Sequence, residues 1–233
     1  VHVITTFDSG GSSAELRRAF DMPAVGDIRA RIMALADRSL EGNPEIVELL
    51  GYRLPKDAGP EALHRELASL ASGAHPLVAA IPEPMNEVVT QHLSAFRSLM
   101  PVDMDLAGAS IGNLILTSGY LSLDRQLEPV VRVFSGMVQA RGVVMPVADS
   151  CAHLCVRLEN GEVIVGQHRF TGKTATAITS PILDMWLSAS LDDPSPVSVP
   201  IQPRLAHVIR TADLICYPVG SFFSSVMANL LPL

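Results

Sequence analysis

Cysteine is scarce in this chain: three in 233 residues, Cys151, Cys155 and Cys216. The number is odd and no CxxC pair occurs, which excludes a disulfide framework and suits small apolar side chains in a reduced, cytoplasmic protein. Cys151, His153 and Cys155 have a spacing that zinc accepts, but no convincing fourth ligand accompanies them, so zinc is the weaker reading. Basic charge is also short. Asp and Glu number 24 against 17 Lys and Arg, a net charge of −7, and such a balance leaves no general footprint for nucleic acid. No apolar run is long enough to span a bilayer, so no membrane partner is expected. What the chain does have is apolar residues, 48% of the total, enough for a substantial core in a single globular domain.

The stretch with the most chemical content is Phe7-Asp8-Ser9-Gly10-Gly11-Ser12-Ser13-Ala14-Glu15. The β-branched run Val1–Phe7 before it predicts a buried strand. Ala14–Phe20 after it has helical composition, and Ser12 with Glu15 has the form of a capping box that starts the helix at the serines. A strand, a glycine-rich turn and a helix follow in order. The first amides of a helix lack internal partners and carry partial positive charge, so they attract phosphate oxygens. Gly10 and Gly11 permit positive φ and close backbone approach. Asp8 falls at the carboxyl end of the strand, where open α/β sheets place ligands. The bland alternative, an ordinary serine-capped turn, has about equal weight for this motif alone.

A second turn follows closely. Pro23 stops the first helix, and Val25-Gly26-Asp27 restarts one with Asp27 as N-cap and Ile28, Ile32, Leu35 and Ala36 on its apolar face. Two helix starts, two aspartates and Arg17, Arg18, Arg29 and Arg31 then lie in a short span, a composition suited to an anion with a divalent cation.

These residues resemble the CofD-like superfamily, whose branches include the 2-phospho-L-lactate transferases and the YvcK-type gluconeogenesis factors. Asp8-Ser9-Gly10-Gly11-Ser12-Ser13 with Gly26-Asp27-Ile28-Arg29 is more similar to the gluconeogenesis-factor wording. The resemblance continues in Ala109–Leu116, where Asn113 either orients a nucleoside or packs between helices. It continues in the predicted strand Gly142–Val147 leading to Asp149, which either faces the site or caps its turn. It ends in Ala212-Asp213-Leu214-Ile215 through Gly220-Ser221, Ser224-Ser225 and Asn229-Leu230, although Pro218-Val219 stands where the family usually has Gly-Pro.

The resemblance implies a Rossmann-like, mostly parallel α/β sheet flanked by helices, with a helical insertion over about 43–100 in a single domain of residues 1–233. It also implies an earlier strand and glycine-rich loop that this chain is expected to lack. It implies a nucleoside-diphosphate-linked ligand, with magnesium or the acceptor hydroxyl at Asp8 and Asp27. Phosphates would sit on the amides of Gly10–Ser13 and Gly220–Ser225, with Ser9 and Gly26 completing the turns and Arg17 or Arg29 balancing charge. The activity implied is transfer of a phosphate-linked 2-hydroxy acid to an alcohol. The alternative is regulatory binding of a UDP-sugar without catalysis. A homodimer is an allowed assembly.

Elsewhere the residues predict helices over Pro44–Leu50, Pro60–Leu67, Asn86–Leu99, Leu127–Val138 and Arg204–Arg210. Leu214–Tyr217 reads as a buried strand entering a helix at Ser224 or Ser225. Asn160-Gly161 between apolar runs predicts a hairpin with a type I′ turn. Thr171-Gly172-Lys173-Thr174 lacks the preceding glycine of a P-loop and is rejected as one.

Overall fold

The computed structural model describes residues 1–39, 42–171 and 178–233; Gly172–Thr174 of the rejected phosphate-loop reading lie outside the described residues. In chain order the elements are β1 (His2–Ile4), α1 (Gly11–Phe20), α2 (Gly26–Leu35), α3 (Pro44–Gly51), α4 (Pro60–Ala71), α5 (Pro76–Ala79), α6 (Met85–Leu99), α7 (Ile111–Ser122), α8 (Leu127–Met137), β2 (Val144–Pro146), β3 (His153–Leu158), β4 (Val163–Val165), β5 (Ile182–Ser188) and α9 (Pro203–Arg210). A π-helical turn over Phe222–Met227 runs into α10 (Ala228–Leu230). This is the mixed α/β class expected. β1 pairs with β2; the His2 amide donates to Val143 O and the Val147 amide to Ile4 O, so the two strands run in the same direction. The remaining described strands form an antiparallel sheet in the order β4-β3-β5.

Contacts divide the chain into two compact units. The first comprises Val1–His2 and Ile28–Val144, and α7 is its centre. Ten consecutive residues of that helix, Ile111–Tyr120, are buried, as expected of a helix surrounded by others. Small residues make this packing feasible: a Cβ at Gly112 would stand 2.6 Å from Leu50 O, and one at Gly119 would stand 2.9 Å from Val130 Cγ1. The helices around it follow their sequence periodicity; α6, for example, buries Val89, Leu93 and Phe96. Prolines at the first turn of α3 and α4 sit where a missing N–H removes no helical bond. The predicted helical stretch 43–100 is part of this larger helical unit.

The second unit comprises Val3–Asp27 and Met145–Leu233. Its core gathers Phe7, Val147, Leu154, Val156, Leu187 and Leu205 with their neighbours. The Asn160–Gly161 hairpin forms, with Cys155 opposite Val165 and Arg157 opposite Val163. Its turn is not type I′. Positive φ occurs at Gly161 alone, +87°, the Gly161 amide donates to Leu158 O, and the Leu158 amide donates to Glu162 O. That is the three-residue turn with a glycine bulge; the Asn160 side chain accepts from the Glu162 amide instead of its backbone turning left-handed.

One expected strand is absent. Leu214–Tyr217 has no strand hydrogen bonding, and all ten residues of 211–220 are exposed, Leu214 at 78% and Val219 at 104%. Apolar, β-branched composition describes a strand's side chains but cannot supply the neighbouring strand its backbone needs.

Candidate functional site

The Asp8–Ser13 turn lies wholly in the second unit. The helix does not begin at Ser12: α1 starts at Gly11, with Gly10 as N-cap at φ −107° and ψ 168°. The predicted capping box is therefore not formed, and Glu15 pairs with Arg18 at 2.6 Å instead. The reason is visible at Gly11, whose φ is +54°, a left-handed conformation that brings the chain into the helix two residues early and that only glycine enters without penalty. Asp8 takes over the local capping: its Oδ1 accepts the Gly10 amide at 3.0 Å, an Asx-type turn. The Gly10 amide is thus engaged, which corrects the expectation that it holds phosphate. The first intrahelical bond runs from the Ala14 amide to Gly10 O, so the amides of Gly11, Ser12 and Ser13 have no i−4 carbonyl within the helix.

Arg17 is placed differently from expectation. It is 6% exposed. Nη1 donates to Phe7 O at 3.2 Å and Asp8 O at 2.9 Å, while Nη2 donates to Ala152 O at 2.6 Å and meets His153 Nδ1 at 3.3 Å. Both ends of its fork are committed to the protein's own carbonyls. Arg17 is a clamp that ties the carboxyl end of the first strand segment to the start of β3, and this replaces its expected role as a phosphate ligand.

The clamp explains two titration shifts. Burial raises the Cys151 thiol above its ordinary value, against the nearby Arg17. Burial and the Arg17 charge push His153 down to about 4, and the Arg17 donor at Nδ1 favours the neutral ring. A folded-state pKa below the unfolded 6.5 means that the unfolded chain binds more protons between pH 6.5 and 4. The stabilisation is therefore complete above 6.5 and is lost as pH falls toward 4. Discounted for partial solvent exposure of the ring, the loss is about 1–2 kcal/mol. We expect urea midpoints to fall over this pH window in the wild type, with a shallower fall in His153→Gln; equal slopes in the two proteins would refute the assignment.

Gly26 is the first residue of α2, and Asp27 occupies its first turn rather than the N-cap position. It is exposed, and its charge there is complementary to the helix dipole. Asp149 Oδ2 accepts from Gln202 Nε2 at 2.6 Å, which joins it to the residue that caps α9 and supports the turn-fixing alternative. Ser221 caps the π-helical turn: its Oγ accepts the Ser224 amide at 3.3 Å and lies 2.6 Å from Ser224 Oγ, while the Ser225 amide donates to Ser221 O. The helix there starts at Phe222, ahead of the predicted Ser224. Gly220 is exposed and is not at positive φ.

Arg29 and Asn113 fall in the first unit. Asn113 is 1% exposed and its Oδ1 accepts from Arg29 Nε at 2.9 Å. Arg29 also donates to Leu50 O, and burial, then Arg53, lowers its pKa. The helix-packing alternative for Asn113 is the one this geometry supports.

The two glycine-rich turns make opposite demands. Gly11→Ala meets open space but a forced left-handed φ, so a loss of about 1–2 kcal/mol is expected. Gly220→Ala meets neither obstacle and is expected within about 0.5 kcal/mol of wild type. Urea unfolding of both variants checks this, and equal losses would contradict it.

A model of the family described as 2-phospho-L-lactate transferase CofD matches residues 1–232. The chain belongs to the CofD family. It is 27% identical over 229 residues to the gluconeogenesis factor of Bacillus subtilis (98% of this chain, 52% of the relative). It is 23% identical over 230 residues to a putative gluconeogenesis factor of Thermotoga maritima, again 98% and 52%. An uncharacterized protein of Saccharomyces cerevisiae is 31% identical over 183 residues, covering 73% of this chain and 39% of its own. The crystal structure of a UPF0052 family member from Bacillus halodurans superposes with a TM-score of 0.66 at 23% identity, covering 98% of this chain and 53% of that one. The chain thus spans about half the length, or less, of the curated relatives named here. No helix among the described residues is long and apolar enough to cross a membrane.

Two site residues carried no signal in the sequence. Ser9 Oγ lies 2.8 Å from His168 Nδ1, and the Ser9 amide donates to Gln167 Oε1 at 3.4 Å. Partners some 158 residues apart belong to no local motif, and only three-dimensional proximity reveals them.

Proposed function

We propose that this CofD-family chain binds a nucleoside-diphosphate-linked ligand at the Asp8–Ser13 turn and transfers a phosphate-linked 2-hydroxy acid from it to an alcohol acceptor. The observation that carries the reading is the pre-set turn itself. Asp8, Gly11 and the buried Arg17 hold the backbone so that the amides opening α1 lie ahead of the helix's first i→i−4 bond, from Ala14 to Gly10 O, in a turn already set. A site that needs no rearrangement on binding retains more of its interaction energy for the ligand. The family description agrees with it.

In this reading the amides of Gly11, Ser12 and Ser13 hold the diphosphate and stabilise charge on the departing phosphate. In the Gly220–Ser225 turn of the same unit the Ser224 and Ser225 amides are engaged by Ser221, which corrects their expected part in phosphate binding, so a second set of donors would come from the amides of Gly220–Phe223. Arg29 and Asn113 bond to each other and take no ligand role. Magnesium suits the oxygen donors of Asp8 and Asp27. Asp8 Oδ1 accepts the Gly10 amide, and magnesium characteristically takes one or two carboxylates with phosphate and water completing its shell. Among the described residues no group of three or more His, Cys, Asp or Glu gathers for a metal, so its other ligands in this reading come from the diphosphate. Bound magnesium would neutralise phosphate charge; Asp27 would orient the acceptor hydroxyl.

A second reading, regulatory binding of a UDP-sugar without turnover, is favoured by relatives named gluconeogenesis factor that align with 98% of the chain. Calorimetry with UDP-N-acetylglucosamine and GDP, followed by a turnover assay with nucleotide-linked donors, separates the two. Turnover in the wild type that drops at least about tenfold in Asp27→Asn supports transfer. Saturable UDP-sugar binding without turnover supports the regulator, and full turnover in Asp27→Asn overturns that residue's role.

A further inference from the structure

We propose that His168 is a positioning residue for the glycine-rich turn: packed against Gly166 and Gly10, its imidazole locks Ser9 and so fixes the backbone that presents the opening amides of α1. The inference rests on the ligand reading above for its functional consequence, and on geometry alone for the lock.

Three hydrogen bonds join Ser9 to the short 3-10 turn Gln167–Arg169. The Ser9 amide donates to Gln167 Oε1 at 3.4 Å, Ser9 Oγ accepts the His168 amide at 3.2 Å, and Ser9 Oγ stands 2.8 Å from His168 Nδ1. Ser9 is 6% exposed, so these bonds replace solvent rather than compete with it. In the proposed lock the Ser9 hydroxyl accepts the His168 amide and donates its own proton to Nδ1. That leaves the ring neutral with its own proton on Nε2. Burial, aided by Arg169 and opposed by Asp8, lowers the His168 pKa, which is consistent with the neutral ring.

The ring's position is dictated by glycine. Gly166 has φ +94°, and a Cβ there would lie 2.9 Å from His168 Cε1 and 3.2 Å from Nδ1. On the other side, a Cβ at Gly10 would lie 3.8 Å from His168 Cβ and 3.5 Å from Asp8 Oδ1. The imidazole therefore occupies the space a Gly166 side chain would need, while on the Gly10 side the contact is ordinary packing against His168 Cβ. Asp8 holds the same turn through the Gly10 amide and Arg17 holds it through Phe7 O and Asp8 O. Neither of these bonds uses the Ser9 side chain, so the serine hydroxyl and its histidine form a separate point of control immediately before Gly10 and Gly11.

The test uses the ¹⁵N-labelled chain without ligand. His168→Ala should shift the Gly10–Ser13 amide resonances and raise the hydrogen exchange of the bonded Gly10 and Ala14 amides by about tenfold, the equivalent of one good hydrogen bond. Amides of the β3–β4 hairpin, unchanged, serve as the fold control. His168→Asn, whose carbonyl can take the place of Nδ1, should restore slow exchange. Wild-type His168 should show an unprotonated Nδ1 in long-range proton–nitrogen spectra. Unchanged Gly10–Ser13 amides in His168→Ala, a protonated Nδ1, or failure of Asn to rescue would overturn the proposal. Calorimetry with UDP-N-acetylglucosamine then reads the consequence: affinity about tenfold weaker in His168→Ala and within about threefold of wild type in His168→Asn. If the wild type does not bind that probe, the ligand reading is what fails, and the exchange data still decide the role of His168.

Discussion

Arg17→Met should lower the stability of the second unit by about 3–5 kcal/mol. The wild-type guanidinium is buried and donates to three main-chain carbonyls, Phe7 O, Asp8 O and Ala152 O. Methionine matches much of its volume but leaves those acceptors unsatisfied, at about 1–3 kcal/mol each where no water replaces the donor. Arg17→Lys should recover little, because a single ammonium cannot reproduce a planar fork with donors on both ends. The single tryptophan, Trp186, lies in β5 of the same unit, so its fluorescence in a urea titration reports the loss directly. A midpoint equal to that of the wild type would show that the clamp contributes nothing.

Asn113→Leu should cost about 2–3 kcal/mol, the range for losing a hydrogen bond to a charged group. The substitution fills the space but removes the acceptor that faces Arg29 Nε, leaving a partly buried guanidinium with a weaker set of partners. Because the cost arises from that stranded charge, the double variant Asn113→Leu with Arg29→Met should be less destabilised than the sum of the two single variants by about 1 kcal/mol or more. Additive losses would show that the pair is not coupled. An Asn113→Leu protein with normal stability and reduced ligand affinity would return Asn113 to the ligand role expected from the family resemblance.

Helices α3, α4 and α6 were legible from an apolar face at helical spacing: Pro44 and Pro60 stand at the first turns of α3 and α4, and Val89, Leu93 and Phe96 line the buried side of α6. The hairpin was legible from Asn160-Gly161, but its turn type was not, since the choice depends on whether Asn160 or its side chain does the work. The start of α1 was misread because Ser12 and Glu15 satisfy a local rule that a left-handed Gly11 pre-empts. Leu214–Tyr217 failed for a different reason: strand composition is local, whereas strand pairing is not. The same limit applies to the candidate site. Asp8 and the two glycines could be singled out from their order in the chain, but the burial of Arg17 and the meeting of Ser9 with His168 depend on residues more than 130 positions away.

A diphosphate held by the amides opening α1 would be visible residue by residue. An amide-resolved titration of the wild-type chain with UDP-N-acetylglucosamine and with GDP, magnesium present, tests for it most directly. The account predicts saturable shifts at Gly11, Ser12 and Ser13 with at least one of the two nucleotides. Saturable shifts confined to other parts of the chain, or none with either nucleotide, would contradict it.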